Sequence, residues 1–296
     1  MKPIIGIIVV FGLFTAPAHA ALDVVATTAN MGALARIVGD EHVSVIVLVP
    51  PDRDAHYLEA RPSMMAALRR ADVLVAVGAA LEVGWLPAAL RGAGNRKVVT
   101  GSRGYFEAAA TIELIETGEV ADRGRGDVHP GGNPHFYLDP VRFAAAAVAL
   151  ATRLAELDPT NAADFHANAA AFATKIDDRV STWRARLADA PAVVAYHKDV
   201  NYLFDRFGIE VVGYIEPLPG IPPTARHLAS LVAELRGEDG LIVHLPFQPA
   251  NGPAFIAREL GWPVVQQASN VAVDGGEDAY LALVDAWVDA LGQSAR

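Results

Sequence analysis

Continuous apolar runs alternate with helical patterns in the first half of the chain. Runs typical of buried strands lie at residues 22–28, 43–49 and 73–77, and helical patterns lie between them at residues 31–39 and 62–71. Strands that are apolar throughout, when they alternate with helices, indicate a parallel sheet that is covered on both faces. The first half therefore predicts an α/β lobe.

The same alternation restarts after a long helical segment. The later predicted strands lie at residues 192–196, 209–214, 241–244 and 264–265, with helices at 200–207, 224–236, 250–260 and 279–291. The helix before them is predicted over residues 158–188, where Asp158 and Thr160 are plausible caps and Pro159 suits a first turn. Its length of about 40 Å is more than one layer of a small domain requires.

These patterns predict the organisation of the whole chain. We expect an α/β fold of two lobes, each a mostly parallel sheet flanked by helices, joined by one long rigid helix. The predicted divisions are a signal peptide at 1–20, an N-terminal lobe at 21–157, the linking helix at 158–188 and a C-terminal lobe at 189–296. Residues 117–134, rich in Gly, Asp and Arg, are predicted to form a surface loop.

The first twenty residues have the pattern of a secretory signal. Lys2 is followed by an apolar run over residues 4–14 and by Ala18-His19-Ala20, a small-x-small cleavage site. The run is roughly half of the ~20 residues that a membrane span needs. We therefore expect a soluble exported protein, most simply in a bacterial periplasm.

Composition narrows the possible functions. The 296 residues are 52% hydrophobic and 20% charged, which excludes a disordered chain. The formal net charge of −10 excludes a fold-wide basic surface for nucleic acid. The chain has no cysteine, so disulfides, thiolate metal sites, cysteine nucleophiles and lipid-anchored cysteines are excluded. Histidines and carboxylates remain as candidate metal ligands.

Three histidines lie where an open α/β sheet places its ligands, beyond the carboxyl ends of the strands. His56 follows the second predicted strand, His135 comes just before a predicted helix, and His197 directly follows a strand. The spacing alone leaves open that the three are unrelated capping or core residues.

The segments around these histidines resemble those of a known family, the zinc/manganese-type periplasmic solute-binding proteins of ABC transporters. The similar segments are residues 49–63, 132–140 and 195–199, and residues 81–86 (Leu-Glu-Val-Gly-Trp-Leu) match a further family segment. Their order and rough spacing agree over essentially the whole chain after residue 20.

The resemblance implies two α/β lobes joined by a rigid helix, with one metal ion in the cleft and His56, His135 and His197 as nitrogen ligands. Neutral imidazoles suit Zn²⁺, and three nitrogens plus one carboxylate make a tetrahedral site. Family members that favour manganese tend to replace the third histidine with glutamate, so His197 favours zinc. Because the ordinary imidazole pKa is about 6.5, zinc binding should weaken below roughly pH 6.

The implied function is high-affinity capture of one Zn²⁺ per chain and its delivery to an ABC permease in the inner membrane. We expect a monomer that is not an enzyme and has no nucleic-acid partner. The alternatives are a manganese-binding protein of the same family, a protein that binds a chelate such as haem or a corrinoid, and a zinc hydrolase with Glu59 as its base.

The fourth ligand is the point where the sequence departs from the family, which usually has an aspartate in the loop before the last helix. A gap-free comparison places Asn270 there, whereas a small shift places Asp274 there. We predict Asp274, because Asn is a poor zinc ligand. A water molecule could also fill the position, as could one of three side chains, Glu277, Asp278 and His244.

The sequence also predicts roles for three further residues. His129 lies in the 117–134 loop and is interpreted as solvated surface, with a weak metal-collecting flap as the alternative. Asp139 is predicted to cap the following helix and could orient His135 as a hydrogen-bond acceptor. Glu216 is predicted to shape a rigid proline-rich loop.

Overall fold

The computed structural model describes residues 21–118 and 129–293. Within these ranges it contains nine α-helices and two parallel four-stranded sheets. The predicted signal peptide at 1–20 and most of the predicted 117–134 loop lie outside the described residues. None of the described helices has the length and apolar character needed to cross a membrane.

The first sheet has the strand order β2-β1-β3-β4. Its strands are β1 Leu22–Ala26, β2 Val43–Val47, β3 Val73–Ala76 and β4 Tyr105–Glu107. The helices that cover it are α1 Ala29–Gly39, α2 Pro62–Arg70 and α3 Leu86–Ala93. Successive side chains of a strand point to opposite faces, so Val24 packs in the cluster that contains α1, whereas Val25 packs in the cluster that contains α2 and α3.

The second sheet repeats this arrangement with the order β6-β5-β7-β8. Its strands are β5 Ala192–Ala195, β6 Val211–Tyr214, β7 Gly240–His244 and β8 Val264–Gln266. The accompanying helices are α6 Asn201–Phe207, α7 Ala225–Glu234, α8 Asn251–Leu260 and α9 Glu277–Gln293. All pairings in both sheets are parallel. The predicted α/β class with two mostly parallel sheets is confirmed, although β4 and α3 were not predicted from the sequence.

Two long helices, α4 Pro140–Leu157 and α5 Ala162–Arg186, pack against each other between the sheets in chain order. The predicted helix over 158–188 corresponds to a 3-10 turn at Pro159–Asn161 followed by the 25 residues of α5. Asp158 accepts a hydrogen bond from the Thr160 amide at 3.2 Å, which starts this turn.

The lobes are joined by more than the single helix that we predicted. Helix α9 packs against both α1 and α5, and Tyr280 of α9 stacks on Phe143 of α4 with ring centroids 3.9 Å apart. One cluster of buried apolar residues runs from the first sheet through these helices to the second sheet. The two lobes therefore share a continuous core.

In both sheets the strand order reverses beside the first strand of the lobe, at β1 and at β5. Open α/β sheets bind ligands outside the carboxyl ends of the strands at such positions. The loops that leave β2, β3, β5 and β6 at these ends, together with the segment between β4 and α4, carry the residues described next.

Candidate metal centre

His56 lies in the loop after β2, where Pro50 and Pro51 end the strand. The Asp54 carboxylate accepts hydrogen bonds from both the His56 amide, at 2.9 Å, and the His56 ring Nδ1, at 2.7 Å. Trp85 donates its indole N–H to the Ala55 carbonyl at 2.9 Å, which ties the loop to the lobe. The main chain and the ring of His56 are therefore both fixed.

His135 lies just before α4 and is 2% exposed. The Asn133 side chain accepts a hydrogen bond from the His135 amide at 2.9 Å, and Tyr202 of α6 donates to the Asn133 carbonyl at 2.6 Å. The ring Nδ1 lies 2.8 Å from the Tyr137 hydroxyl. Tyr137 thus holds the His135 ring, while Tyr202 of the second lobe holds the main chain just before it.

His197 follows β5 directly and is 9% exposed. Its Nδ1 lies 2.9 Å from a carboxylate oxygen of Glu216, in the loop after β6. The same oxygen accepts the Gly220 amide at 2.9 Å. Glu216, predicted only to shape its loop, therefore also orients the His197 ring.

The three predicted histidines converge in the structure. Ring centroids are 5.1 Å apart for His56 and His135, 5.5 Å for His135 and His197, and 5.9 Å for His56 and His197. The Nδ1 atom of each ring is taken up by Asp54, Tyr137 or Glu216, which leaves Nε2 as the ligand atom. A metal-binding histidine usually has its other ring nitrogen bonded in this way. Nε2 of His135 is buried and has no hydrogen-bond partner among the described residues.

Burial and neighbouring charges shift the pKa values of the groups at the site in different directions. Burial and the neighbouring histidines lower the pKa of His135 well below its ordinary value, so this ring is neutral. Burial alone would lower the pKa of His197, but Asp199 and Glu216 outweigh it and raise that pKa to about 9. Burial would raise the pKa of Asp54, but its bonds to His56 outweigh burial and lower it.

Two further candidate ligands lie here: Asp199, which was not predicted, and His129, for which a weak metal-collecting flap was only the alternative. Nε2 of His129 lies 3.1 Å from Nε2 of His56, and Asp199 lies 3.8 Å from Nδ1 of His135. Among the described residues, two groups have ligand atoms within 4.8 Å of one another: His56 with His129 and His135, and His135 with His197 and Asp199. Burial lowers the pKa of His129 to about 3 and raises the pKa of Asp199.

Sequence signals for both residues exist, but they are weak. His129 stands six positions before His135, and Asp199 stands two positions after His197, inside or close to segments that resemble the family. The Gly-rich sequence around His129 favoured an exposed position, whereas its side chain is partly buried in the structure.

Asp274 does not lie at this centre. It is exposed, its charge acts on Arg36 of α1, and it belongs to neither ligand group. Asn270 instead lines a small cavity together with His56 and His135. Asn30 of α1 fixes the loop, since it donates to the Ser269 carbonyl at 2.8 Å and accepts the Val271 amide at 3.1 Å. The structure thus corresponds to the gap-free comparison and not to the shifted one that favoured Asp274.

His244, Glu277 and Asp278, considered above as fourth ligands, also lie apart from both groups. His244 is buried with its Nδ1 3.1 Å from the Leu245 carbonyl, and Glu277 pairs with Lys175. Asp278 is exposed at the start of α9.

Asp139 has only one of the two roles expected of it. It caps α4, because its side chain accepts hydrogen bonds from the Val141 and Arg142 amides. The partner of the His135 ring is Tyr137 and not Asp139.

A cleft of about 840 Å³ reaches His56 and His197 from solvent. One wall comes from the loop after β2, including Asp54 and His56, and the other from the second lobe, including His197, Glu216 and Gln248. A metal ion can therefore reach the rings between the two lobes.

Comparison with known proteins identifies the family of the chain. The family model for the periplasmic zinc-uptake complex component A, ZnuA, matches residues 24–294. The high-affinity zinc uptake system protein ZnuA of Bacillus subtilis (strain 168) is 24% identical over 221 residues, which cover 73% of this chain and 66% of that protein.

Two solved structures show the same fold. A crystal structure of ZnuA has a TM-score of 0.76 at 23% identity and covers 91% of this chain and 99% of that one. The solute-binding protein FpvC from Pseudomonas aeruginosa, solved with Ni²⁺, has a TM-score of 0.75 at 22% identity and covers 93% of this chain and 97% of that one. Since the family match extends over nearly all of the described residues, the chain belongs to the ZnuA family of periplasmic, metal-binding solute-binding proteins.

Proposed function

We propose that the protein binds one Zn²⁺ ion through His56, His135 and His197 and delivers it to an ABC importer in the inner membrane. The observation that carries the proposal is the convergence of three imidazoles that are all bonded through Nδ1, so that each presents Nε2. One of these Nε2 atoms is buried with no other partner among the described residues. Asp274 has no part in this proposal.

The donor set supports zinc over manganese. Imidazole nitrogens suit zinc, copper, iron and nickel, whereas manganese prefers carboxylate, carbonyl and water oxygens. Relatives carry zinc-uptake names, but the structural neighbour FpvC holds Ni²⁺, so the choice between zinc and nickel rests on geometry. A compact set of imidazoles favours the tetrahedral coordination that zinc adopts.

A transport role fits the site better than hydrolysis. A hydrolytic zinc site needs an open coordination position and a base next to it. Glu59 is exposed on the cleft wall and belongs to neither ligand group. We infer that the protein is a monomeric carrier which is exported by its first twenty residues and has no catalytic activity of its own.

The identity of the bound metal is tested by letting three metal ions compete for the site. Metal-stripped protein is dialysed against equal, limiting concentrations of Zn²⁺, Ni²⁺ and Mn²⁺, and bound metal is measured by mass spectrometry. The expected result is close to one zinc per chain, with His135→Ala losing it. Preferential loading with manganese, or no metal at all, would overturn the proposal.

Delivery is tested in cells. A strain that lacks the gene should grow poorly in zinc-depleted medium and should be restored by the wild-type gene but not by His135→Ala. Restoration by the variant would contradict delivery through this site.

A further inference from the structure

We propose that His129 is the fourth protein ligand, which makes the site a set of four imidazoles. The inference rests on the proposed function, because it concerns the same bound ion. It also assigns a structural task to the Leu-Glu-Val-Gly-Trp-Leu segment at residues 81–86.

The His129 and His56 rings are in contact. Their Nε2 atoms are 3.1 Å apart. Two nitrogens that bind one tetrahedral zinc at the usual 2.0–2.1 Å lie about 3.3 Å from each other. The two rings therefore already have the spacing of ligands to one ion.

The hydrogen-bond partners of the two rings place their protons on Nδ1. Nδ1 of His129 lies 3.1 Å from the Ala79 carbonyl oxygen, which can only accept, so this nitrogen carries the hydrogen. Nδ1 of His56 likewise faces the Asp54 carboxylate. In the neutral rings both Nε2 atoms then present lone pairs to each other, an arrangement that a metal ion bound between them would stabilise.

His135 lies beside His129 and His56. Its ring centroid lies 6.2 Å from that of His129, and ligand atoms of His56, His129 and His135 fall within 4.8 Å of one another. His197 is 5.5 Å from His135 by ring centroids. His135 is thus the one histidine that belongs both to the group with His129 and to the group with His197, and its Nε2 is buried and unpartnered among the described residues.

A strained turn presents the carbonyl that orients His129. Ala79 and Ala80 have φ values of +49° and +67°, in the left-handed region that non-glycine residues rarely adopt. Such strain persists only where surrounding structure imposes it, and it clusters at functional sites.

Buried Glu82 imposes this turn. Its carboxylate accepts the Val77 amide at 2.8 Å, the Gly78 amide at 3.1 Å and the Thr27 hydroxyl at 2.6 Å. Glu82 is 3% exposed and belongs to the 81–86 segment. That segment therefore holds the backbone that points the Ala79 carbonyl at His129.

Asp199 takes a different role in this arrangement. It lies beside Nδ1 of His135, on the side of the ring away from Nε2, and its other oxygen accepts from Gln248 at 2.6 Å. We assign it to the surroundings of the ligands, where its charge offsets that of the ion.

The test uses His129→Ala, with His166→Ala as the matched control because His166 is exposed on α5. X-ray absorption at the zinc edge counts imidazoles, and a chelator chase gives the zinc off-rate. We expect four imidazoles in the wild type and three plus an oxygen in His129→Ala. The off-rate should rise at least about tenfold, the smallest effect seen when even an outer partner of a ligand is lost. His166→Ala should match the wild type.

The outcomes separate the two proposals. Wild-type protein that binds zinc through three imidazoles, or an unchanged off-rate in His129→Ala, would overturn the fourth ligand and leave the proposed function intact. Wild-type protein that binds no zinc would overturn the proposed function itself. His129→Gln keeps a polar side chain at this position and should lose the fourth imidazole as the alanine variant does.

Discussion

At the scale of single residues, hydrogen bonds to the Nδ1 atoms fix the orientation of the three histidine rings. Asp54, Tyr137 and Glu216 occupy Nδ1 of His56, His135 and His197. Asp54 and Tyr137 each lie two positions from their histidine in the sequence. Glu216 lies 19 positions from His197, so only the pairing of β5 with β6 brings the two together.

Loss of His135, the most buried of the three rings, should weaken zinc binding the most. His135→Ala removes the ligand whose Nε2 has no other partner among the described residues, and it should weaken zinc binding by well over tenfold, because it deletes a direct bond. Competition titration against a chelator of known affinity measures the change. His166→Ala is the control, and equal affinities for the two variants would remove His135 from the site.

His197 should make zinc binding depend on pH in a range that the sequence did not indicate. Its pKa of about 9 means that the ring is protonated at pH 7 in the metal-free protein, and zinc must displace that proton. Affinity should therefore fall by about tenfold for each unit between pH 8 and 6 through this residue alone, whereas an ordinary imidazole would lose affinity only below about pH 6.

Glu216→Gln isolates this effect. It removes one charge and the carboxylate acceptor, so the pKa of His197 should fall and the affinity profile should flatten between pH 7 and 8. Titrations of both proteins across this range provide the comparison. Parallel affinity profiles for the wild type and the variant would show that Glu216 does not raise the pKa of His197.

At the scale of elements, Asp139 links the segments that carry His135 and His197. It caps α4, and its buried carboxylate pairs with Arg142 of α4 and with Arg206 of α6, at oxygen-to-nitrogen distances of 2.6, 2.8 and 2.9 Å. Because α6 begins four residues after His197, this network fixes the second lobe against the start of α4.

Asp139→Ala should lower the free energy of unfolding by about 3 kcal/mol, because it leaves two arginines without their buried partner. Chemical denaturation of the metal-free protein measures the loss. Glu259→Ala is a suitable control, since its pair with Arg258 is exposed and should contribute less than about 1 kcal/mol. A loss for Asp139→Ala no larger than that of the control would contradict the proposed link.

Elements with strong periodicity were predictable, and those fixed by distant contacts were not. The apolar runs at β1, β3 and β7 identified the parallel sheets because both faces of these strands are buried. Strand β4 has only three residues, of which Phe106 alone is fully buried, so its pattern is too short to recognise.

Two loops explain why the structure places Asp274 and His129 differently from the sequence-based expectation. No periodicity fixes the register of the segment before α9. The contacts of Asn30 with this segment, about 240 positions away, hold the loop so that Asn270 and not Asp274 lines the cavity with His56 and His135. His129 is oriented by the Ala79 carbonyl, a main-chain group whose direction the sequence does not reveal.

At the scale of the whole molecule, the two lobes form one continuous core. Tyr280 of α9 stacks on Phe143 and donates to the Tyr137 carbonyl at 2.9 Å, close to the ligand segment of His135. Burial of this kind between lobes resists large independent motion, and it lets both halves of the site keep their spacing.

The metal-free protein should therefore unfold in a single cooperative transition. Differential scanning calorimetry should give equal calorimetric and van't Hoff enthalpies, because neither lobe can lose its core without exposing the other. Added zinc should move the whole transition to higher temperature, as expected for an ion that binds only the folded state. Two resolved transitions, only one of which zinc displaces, would contradict the shared core.

The position of the bound ion decides whether the histidines form the metal centre. Crystals of the zinc-loaded protein, measured on both sides of the zinc absorption edge, give an anomalous difference peak at the bound metal. We predict one strong peak per chain within bonding distance of Nε2 of His56, His135 and His197, with the ring of His129 as the fourth neighbour. A principal peak beside Asp274, or one that contacts fewer than three of these four rings, would contradict a centre built from histidines.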